Sequence, residues 1–177
     1  KEDILQKVQK SKNSPAKELL DISLDAEEYT VTFVANGQTV TRKALFDWSK
    51  EDNERIRYYS GTAIYKTTFP WKYKEQKDRQ VYLHLGTVYN LATVRVNGID
   101  CGTVWTAPYR ADITAALKKG TNELEIEVTN TWANALKGTD EGKAPFEGIW
   151  TNAKYRKQEN TLLPGGLLGP LYLEQSN

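Results

Sequence analysis

The strongest constraint on the fold is a hairpin signal at Asn97-Gly98. The pair separates two runs, residues 91–97 and 99–104, in which apolar and polar side chains alternate. Asn and Gly both tolerate the positive φ angles of a type I′ turn, so the spacing predicts two antiparallel strands joined by a two-residue turn. Further on, Asp112 has the position of the N-cap of a short helical turn.

The period of two that marks β-strands recurs from Tyr29 onward. Strand signals cover residues 29–33, 39–41, 63–69, 81–85 and 123–129, with a turn at Asn36-Gly37 between the first two. Residues 123–129 alternate acidic and aliphatic side chains without interruption, which predicts a half-buried antiparallel strand. A last strand is predicted near residues 168–173, after a long irregular segment over residues 134–160.

Short strands with turn signals between them, and almost no helical stretches, predict an all-β jelly-roll β-sandwich. A chain of 177 residues suggests one domain. We place the sandwich at residues 28–177. Residues 1–27 are rich in Lys, Glu and Gln and contain a break at Asn13-Ser14-Pro15, so they predict a linker or a short helix.

Charge and cysteine content exclude several classes of function. The chain carries 24 Lys and Arg against 23 Asp and Glu, a formal net charge of +1. We therefore expect no nucleic-acid partner and no membrane partner. The single cysteine, Cys101, forms no internal disulfide, and we expect it to be a buried small side chain. No Met occurs at any position, which favours a domain excised from a longer protein.

Four motifs resemble one known family in their order and spacing. They are Tyr-Tyr-Ser-Gly-Thr at the start of residues 58–69, then residues 94–114, 128–134 and 164–170, with Asp47-Trp48 ahead of them. Together they are similar to the non-catalytic carboxy-terminal β-sandwich of family 106 glycoside hydrolases. That domain is galactose-binding-like, akin to the sugar-binding jelly roll of family 2 glycosidases, and accompanies a barrel that removes L-rhamnose. The resemblance covers residues 28–174.

The resemblance implies a non-catalytic carbohydrate-binding or accessory domain of a rhamnosidase-like glycoside hydrolase. The implied partners are the catalytic barrel of the parent chain and a glycan that contains rhamnose or galactose. The chain departs from the family after Trp132, where Ala133-Asn134-Ala135 replaces Pro-Asn-Arg. We expect a periplasmic or extracellular protein. Two alternatives stay open: a small free-standing glycosidase, and a structural interaction module that binds no sugar.

The candidate carbohydrate-binding residues are aromatic, basic and amide side chains near predicted strand ends: Trp105, Tyr109, Arg110, Asn130, Trp132 and Trp150. An indole ring stacks on the C–H face of a pyranose, and a guanidinium fork bridges neighbouring hydroxyls. Trp105, Tyr109 and Arg110 predict such a platform. The alternative is that these side chains pack their loops against the sandwich or a partner domain.

We expect no catalytic residue in this chain. Asp140, Glu141 and Glu147 come nearest to a carboxylate pair for glycoside hydrolysis, but charged residues in such a segment are usually solvated. His84 has no nucleophile motif to serve. We also expect no cofactor. The alternative is a structural calcium on the oxygens of Asn134, Asp140 and Glu141, whose spacing is unlike that of an EF-hand loop.

Overall fold

The computed structural model describes residues 20–24, 27–73, 79–143 and 161–176. They form two antiparallel sheets. Sheet A contains β1 (Leu20–Ser23), β5 (Gln80–Tyr89), β8 (Tyr109–Asp112), β10 (Gly166–Gly169) and β11 (Tyr172–Ser176). Sheet B contains β2 (Tyr29–Phe33), β3 (Gln38–Arg42), β4 (Thr62–Trp71), β6 (Leu91–Val96), β7 (Ile99–Val104) and β9 (Gly120–Thr129). The described residues also include the helices α1 (Glu54–Arg57) and α2 (Ala133–Asp140) and the 3-10 turns Trp48–Lys50 and Thr114–Ala116.

The two sheets differ in how their strands are joined. Sheet B is a continuous ladder in the order β3-β2-β4-β9-β6-β7. In sheet A, β5 pairs with β11 over residues 80–84 and with β10 over residues 86–89, and β1 pairs with β11. β8 pairs with residues 82–86 of the same strand, so it lies on the opposite edge of β5. The all-β sandwich that the sequence predicts is confirmed.

The core lies between the sheets and follows the alternation of the sequence. In β9, Leu124, Ile126 and Val128 are buried, while the intervening glutamates face outward, as the alternation predicts. Leu83 and Leu85 of sheet A belong to the same buried cluster. Burial of one such aliphatic side chain contributes about 1.5–3 kcal/mol. Within the described residues, every buried side-chain nitrogen or oxygen has a hydrogen-bond partner.

The hairpin signal is confirmed in detail. Asn97 has φ 51° and Gly98 has φ 78°, so both residues have the positive φ that the turn requires. The Asn97 amide also donates to the Ala116 carbonyl, at 2.8 Å, which ties the hairpin to the Thr114–Ala116 turn. The N-cap of that turn is Ile113 and not Asp112 as predicted, but the Asp112 side chain, one residue earlier, still accepts a 3.0 Å hydrogen bond from the Thr114 amide.

The N-terminal and C-terminal parts of the sandwich differ from the sequence-based prediction. Strand β1 lies within the segment predicted to be a linker or helix, and it pairs with β11, so the sandwich includes Leu20. Residues 1–19 lie outside the described residues. The predicted last strand is two strands, β10 and β11, separated at Pro170. Proline has no amide hydrogen for the ladder, so the strand pairing is interrupted there.

A helix occupies part of the segment predicted to be irregular. The glycine in α2, Gly138, disfavours a helix by its intrinsic propensity. A Cβ atom at Gly138 would lie 2.9 Å from the Tyr58 ring, so the absence of a side chain lets α2 pack closely on this tyrosine. Tertiary packing therefore overrides the local signal. No helix among the described residues is long and apolar enough to cross a membrane.

Gly86 tests how closely two strands of sheet A approach each other, and Gly37, in the turn between β2 and β3 of sheet B, serves as its comparison. Gly86 has φ +61°, and a Cβ there would lie 2.1 Å from the Gly169 carbonyl carbon. Gly37 has a similar φ of +67° but nothing within 4 Å of its Cβ position. We expect Gly86→Ala to lower the free energy of unfolding by about 3 kcal/mol or more, because it adds a backbone clash to the φ strain.

Gly37→Ala is the matched control. We expect it to lower the free energy of unfolding by about 1–2 kcal/mol, because it adds only the strain of the positive φ. Urea denaturation of both variants measures the difference. Equal losses would show that the close approach of β5 and β10 does not constrain the sandwich.

Candidate functional site

The register brings several predicted site residues to one end of the sandwich. Leu91 pairs with Thr129, and Ala92 pairs with Val104, so β9 and β7 end where β6 begins. We call this region the loop end. It consists of residues 34–37, 58–61, 90–91, 105–108, 130–143 and 161–166. Trp105 and Trp132 therefore follow β7 and β9, the two strands that flank β6, at the same end.

The loop end collects exposed apolar side chains. Among the described residues, the exposed large hydrophobic side chains at this end are Val34, Leu91, Trp105, Trp132 and Leu163; Ile99 lies at the opposite end. Trp105 is 76% exposed and Trp132 is 57% exposed. Five exposed apolar side chains at one end make this end a candidate contact surface. The sequence analysis did not single out Leu91 as exposed. The alternation in β6 does indicate it, because Leu91 points to the opposite side of the strand from the buried Ala92, Val94 and Val96.

Below this surface lies a buried junction between the sheets. The Tyr65 hydroxyl of β4 accepts a 2.7 Å hydrogen bond from the Trp48 indole N–H and a 3.2 Å bond from the Leu167 amide of β10. Burial raises the pKa of Tyr65, so the phenol stays neutral. The Trp48 ring also packs edge-on against Phe33 and Tyr59, with centroids 5.2 and 5.7 Å away. The junction joins both sheets at the base of the loop end.

Residues next to the junction fix the segment that enters β10. The Asp47 carboxylate accepts hydrogen bonds from the Gly165 amide at 3.1 Å and from Ser49. The Trp48 amide in turn donates to the Gly165 carbonyl at 3.0 Å. Gly166 has φ +97°, and a Cβ there would lie 2.4 Å from the Trp48 indole nitrogen. Glycine is thus required at Gly166, and the Asp47-Trp48 and Gly165-Gly166 motifs form one unit.

The Asn130 amide binds the protein's own backbone. Its oxygen accepts from the Gly61 amide at 2.8 Å, and its nitrogen donates to the Tyr59 carbonyl at 2.9 Å. The neighbouring Ser60 hydroxyl is buried and accepts from the Ala135 amide in the first turn of α2. The structure therefore places this predicted site residue in a clamp that holds the Tyr-Tyr-Ser-Gly motif against the end of β9.

The predicted platform of Trp105, Tyr109 and Arg110 is divided by the structure. Tyr109 begins β8 and is partly buried against the core. The Arg110 guanidinium lies 4.5 Å from the centroid of the Tyr82 ring, on the outer face of sheet A. Trp105 alone of the three lies in the exposed loop. Trp132 immediately precedes α2. Trp150 lies outside the described residues.

The candidate carboxylates and calcium ligands also have protein partners. Glu141 accepts a 2.8 Å hydrogen bond from the Tyr58 hydroxyl. The pKa of Tyr58 is raised by burial and by this bond. Asn134 is buried, and its amide bonds both the amide and the carbonyl of Leu163, at 2.8 and 2.7 Å. Glu147 lies outside the described residues. In the described ranges no three His, Cys, Asp or Glu side chains are grouped as metal ligands would be.

His84 and Cys101 lie away from the loop end. His84 is on the outer face of β5, where its Nε2 is 2.6 Å from a Glu174 carboxylate oxygen. Cys101 is half-buried against the core rather than fully buried, because β7 is the edge strand of sheet B. Burial raises the pKa of its thiol. Neither side chain is part of the exposed surface around Trp105 and Trp132.

The fold and the buried motifs define a galactose-binding-like β-sandwich. Residues 38–162 match the sequence profile of the glycosyl hydrolase 2 galactose-binding domain-like family. The chain belongs to this family, and the resemblance to the galactose-binding-like domains of glycoside hydrolases is confirmed.

The relatives are much longer proteins. A putative beta-glucuronidase from Formosa agariphila is 36% identical over 82% of this chain, which covers 15% of the relative. A rhamnosidase from Novosphingobium sp. PP1Y is similar in structure, with a TM-score of 0.80 and 36% identity over 91% of this chain and 16% of that one. An FMN-binding beta-glucuronidase from Facaelibacterium prausnitzii L2-6 has a TM-score of 0.60 and 25% identity over 90% of this chain and 23% of that one.

Two substitutions distinguish the structural role of Asn130 in the clamp from the exposed position of Trp105. Asn130→Ala leaves the Gly61 amide and the Tyr59 carbonyl without their partner, so we expect the free energy of unfolding to fall by about 2–4 kcal/mol. Trp105→Ala removes an exposed ring and should change the free energy of unfolding by less than about 0.5 kcal/mol. Chemical denaturation of the two variants measures both values. A neutral Asn130→Ala would contradict the clamp and favour a ligand-binding role for this amide.

Proposed function

We propose that this chain is a non-catalytic accessory domain of a larger, rhamnosidase-like glycoside hydrolase, and that its loop end packs against the catalytic domain. The exposed apolar surface around Trp105 and Trp132 carries the proposal. An indole ring that is 76% exposed leaves a large apolar area in water, which a protein partner would cover. Membership of a glycoside hydrolase family and relatives about six times longer support the accessory role.

The chemistry of the loop end favours a protein partner over a sugar. A sugar site combines an aromatic face with polar groups that converge on the hydroxyls. Here the Arg110 guanidinium lies over Tyr82, and the Asn130 amide bonds the backbone of the Tyr-Tyr-Ser-Gly motif. The Arg110 and Asn130 side chains thus bind the protein itself and do not accompany the aromatic surface around Trp105 and Trp132.

A glycan contact at Trp105 is the second candidate. The observation that favours it is the exposure of the Trp105 ring, which is open to stacking on a rhamnose- or galactose-containing oligosaccharide. One stacked ring with few hydroxyl contacts gives weak binding, with a Kd of about 1 mM.

One substitution distinguishes contact with the parent enzyme from a role in stability. We expect Trp105→Ala to leave the melting temperature of the isolated chain unchanged. In the polypeptide encoded by the whole reading frame, we expect it to lower the free energy of unfolding of this domain by about 1–3 kcal/mol. Ile99→Ala, at the opposite end, is the matched control and should be neutral in both. Equal effects of the two substitutions in the long polypeptide would contradict the proposed contact.

A sugar titration tests the second candidate separately. Rhamnose- and galactose-containing oligosaccharides are added to the isolated chain up to about 20 mM, well above the expected Kd. Amide NMR shifts confined to residues 105–108 and 130–132, and abolished by Trp105→Ala, would favour the glycan contact. If the domain mainly packs against the catalytic domain, we expect no such shifts.

A further inference from the structure

The outer face of sheet A carries a second ordered surface, separate from the loop end. It consists of Tyr82, His84, Arg110, Tyr172 and Glu174, and we call it the sheet A platform. These side chains alternate with buried positions in β5, β8 and β11, so they face away from the core. The register places Arg110 beside His84 and His84 beside Tyr172 on adjacent strands.

Contacts within the platform hold its rings and its charged side chains. The Arg110 guanidinium lies 4.5 Å from the Tyr82 centroid. The His84 ring stacks on Tyr172 with centroids 4.4 Å apart and planes 6° apart. His84 Nε2 also bonds Glu174 at 2.6 Å. Arg110 and Glu174 therefore each have a partner within the platform, and neighbouring side chains hold the rings in place. Such preorganisation lowers the entropic cost of association.

The outer face of sheet B has a different composition. Lys66, Arg95 and the glutamates of β9 form ion pairs across it, including Lys66 to Glu125 at 3.1 Å and Arg95 to Glu127 at 2.6 Å. Lys and Glu are depleted at protein interfaces, whereas Tyr and Arg are enriched. The two outer faces of the sandwich thus differ in composition: Lys, Arg and Glu ion pairs cross sheet B, whereas Tyr, His and Arg rings and planes stack on sheet A.

The course of the backbone indicates what can cover the platform. The first and last described strands, β1 and β11, are neighbours in sheet A, and Leu20 pairs with Gln175. Gln175 in turn pairs with Val81, near the start of β5, whereas Tyr89 at its other end reaches the loop end. Val81 and Tyr89 are eight positions apart along β5, which corresponds to at most about 26 Å. Polypeptide that continues from β11 therefore leaves the sandwich beside the platform and far from Trp105.

We propose that the sheet A platform is the docking surface for the domain that adjoins this one along the parent polypeptide. The proposal rests on the proposed function in requiring a larger glycoside hydrolase, of which the chain covers about a sixth in its relatives. The two surfaces then have separate partners: the adjoining domain covers the sheet A platform, and the catalytic domain covers the loop end. Domain interfaces of this type are partly polar, as the platform is.

Hydroxyl-radical footprinting with mass spectrometry tests both surfaces at once. It is applied to the 177-residue chain and to the polypeptide encoded by the whole reading frame. We expect oxidation of Tyr82 and Tyr172 to be at least about fivefold slower in the long polypeptide, since an interface core excludes water. Ile64, on the outer face of sheet B, and Ile99 are the controls and should react equally in both.

The outcomes separate this inference from the proposed function. Protection of Trp105 without protection of Tyr82 and Tyr172 overturns the docking surface and leaves the loop-end contact standing. Protection of the two tyrosines without Trp105 supports the docking surface and contradicts the loop-end contact. Protection of neither surface contradicts both.

A charge substitution gives an independent readout. We expect Tyr172→Lys to lower the melting temperature of the domain in the long polypeptide by more than it does in the isolated chain. Thr39→Lys, exposed on β3 of sheet B, should have the same effect in both. An identical shift for Tyr172→Lys in the two proteins would overturn the docking surface.

Discussion

The Tyr65 hydroxyl is the point on which the two sheets and the loop end depend. It belongs to sheet B, is almost fully buried, and accepts hydrogen bonds from the Trp48 indole and from the Leu167 amide of sheet A. A buried polar group without partners costs about 1–3 kcal/mol, and the Tyr65 hydroxyl provides the acceptor for both of these buried donors. Because Gly166 approaches the same indole closely, the Trp48 ring has little freedom to move from its position.

The motifs that relate this chain to glycoside hydrolases are therefore mainly structural. Asp47-Trp48 and Gly165-Gly166 bind each other, and Asn130 clamps the Tyr-Tyr-Ser-Gly segment against β9. Their common product is a rigid base beneath the exposed rings of Trp105 and Trp132. A family match through these motifs thus reports the scaffold, and a scaffold does not by itself determine function.

The sequence predicted the fold well wherever an element depends on residues close to it along the chain. The Asn97-Gly98 turn and the alternation of residues 123–129 depend on neighbouring residues alone, and both are confirmed. The site was harder to predict because its geometry depends on distant contacts. Arg110 follows the Trp105 loop in sequence, but β8 pairs with β5, and the guanidinium is drawn over Tyr82. Helix α2 depends likewise on packing of Gly138 against Tyr58, 80 residues earlier in the chain.

A double-mutant cycle on Trp48 and Tyr65 tests the central claim most directly. Trp48→Phe, Tyr65→Phe and the double variant are compared with the unsubstituted chain by chemical denaturation. We expect the double variant to be less destabilised than the sum of the single variants by at least about 1 kcal/mol, because both substitutions remove the same buried hydrogen bond. Losses that add to within about 0.3 kcal/mol would contradict the role of this junction.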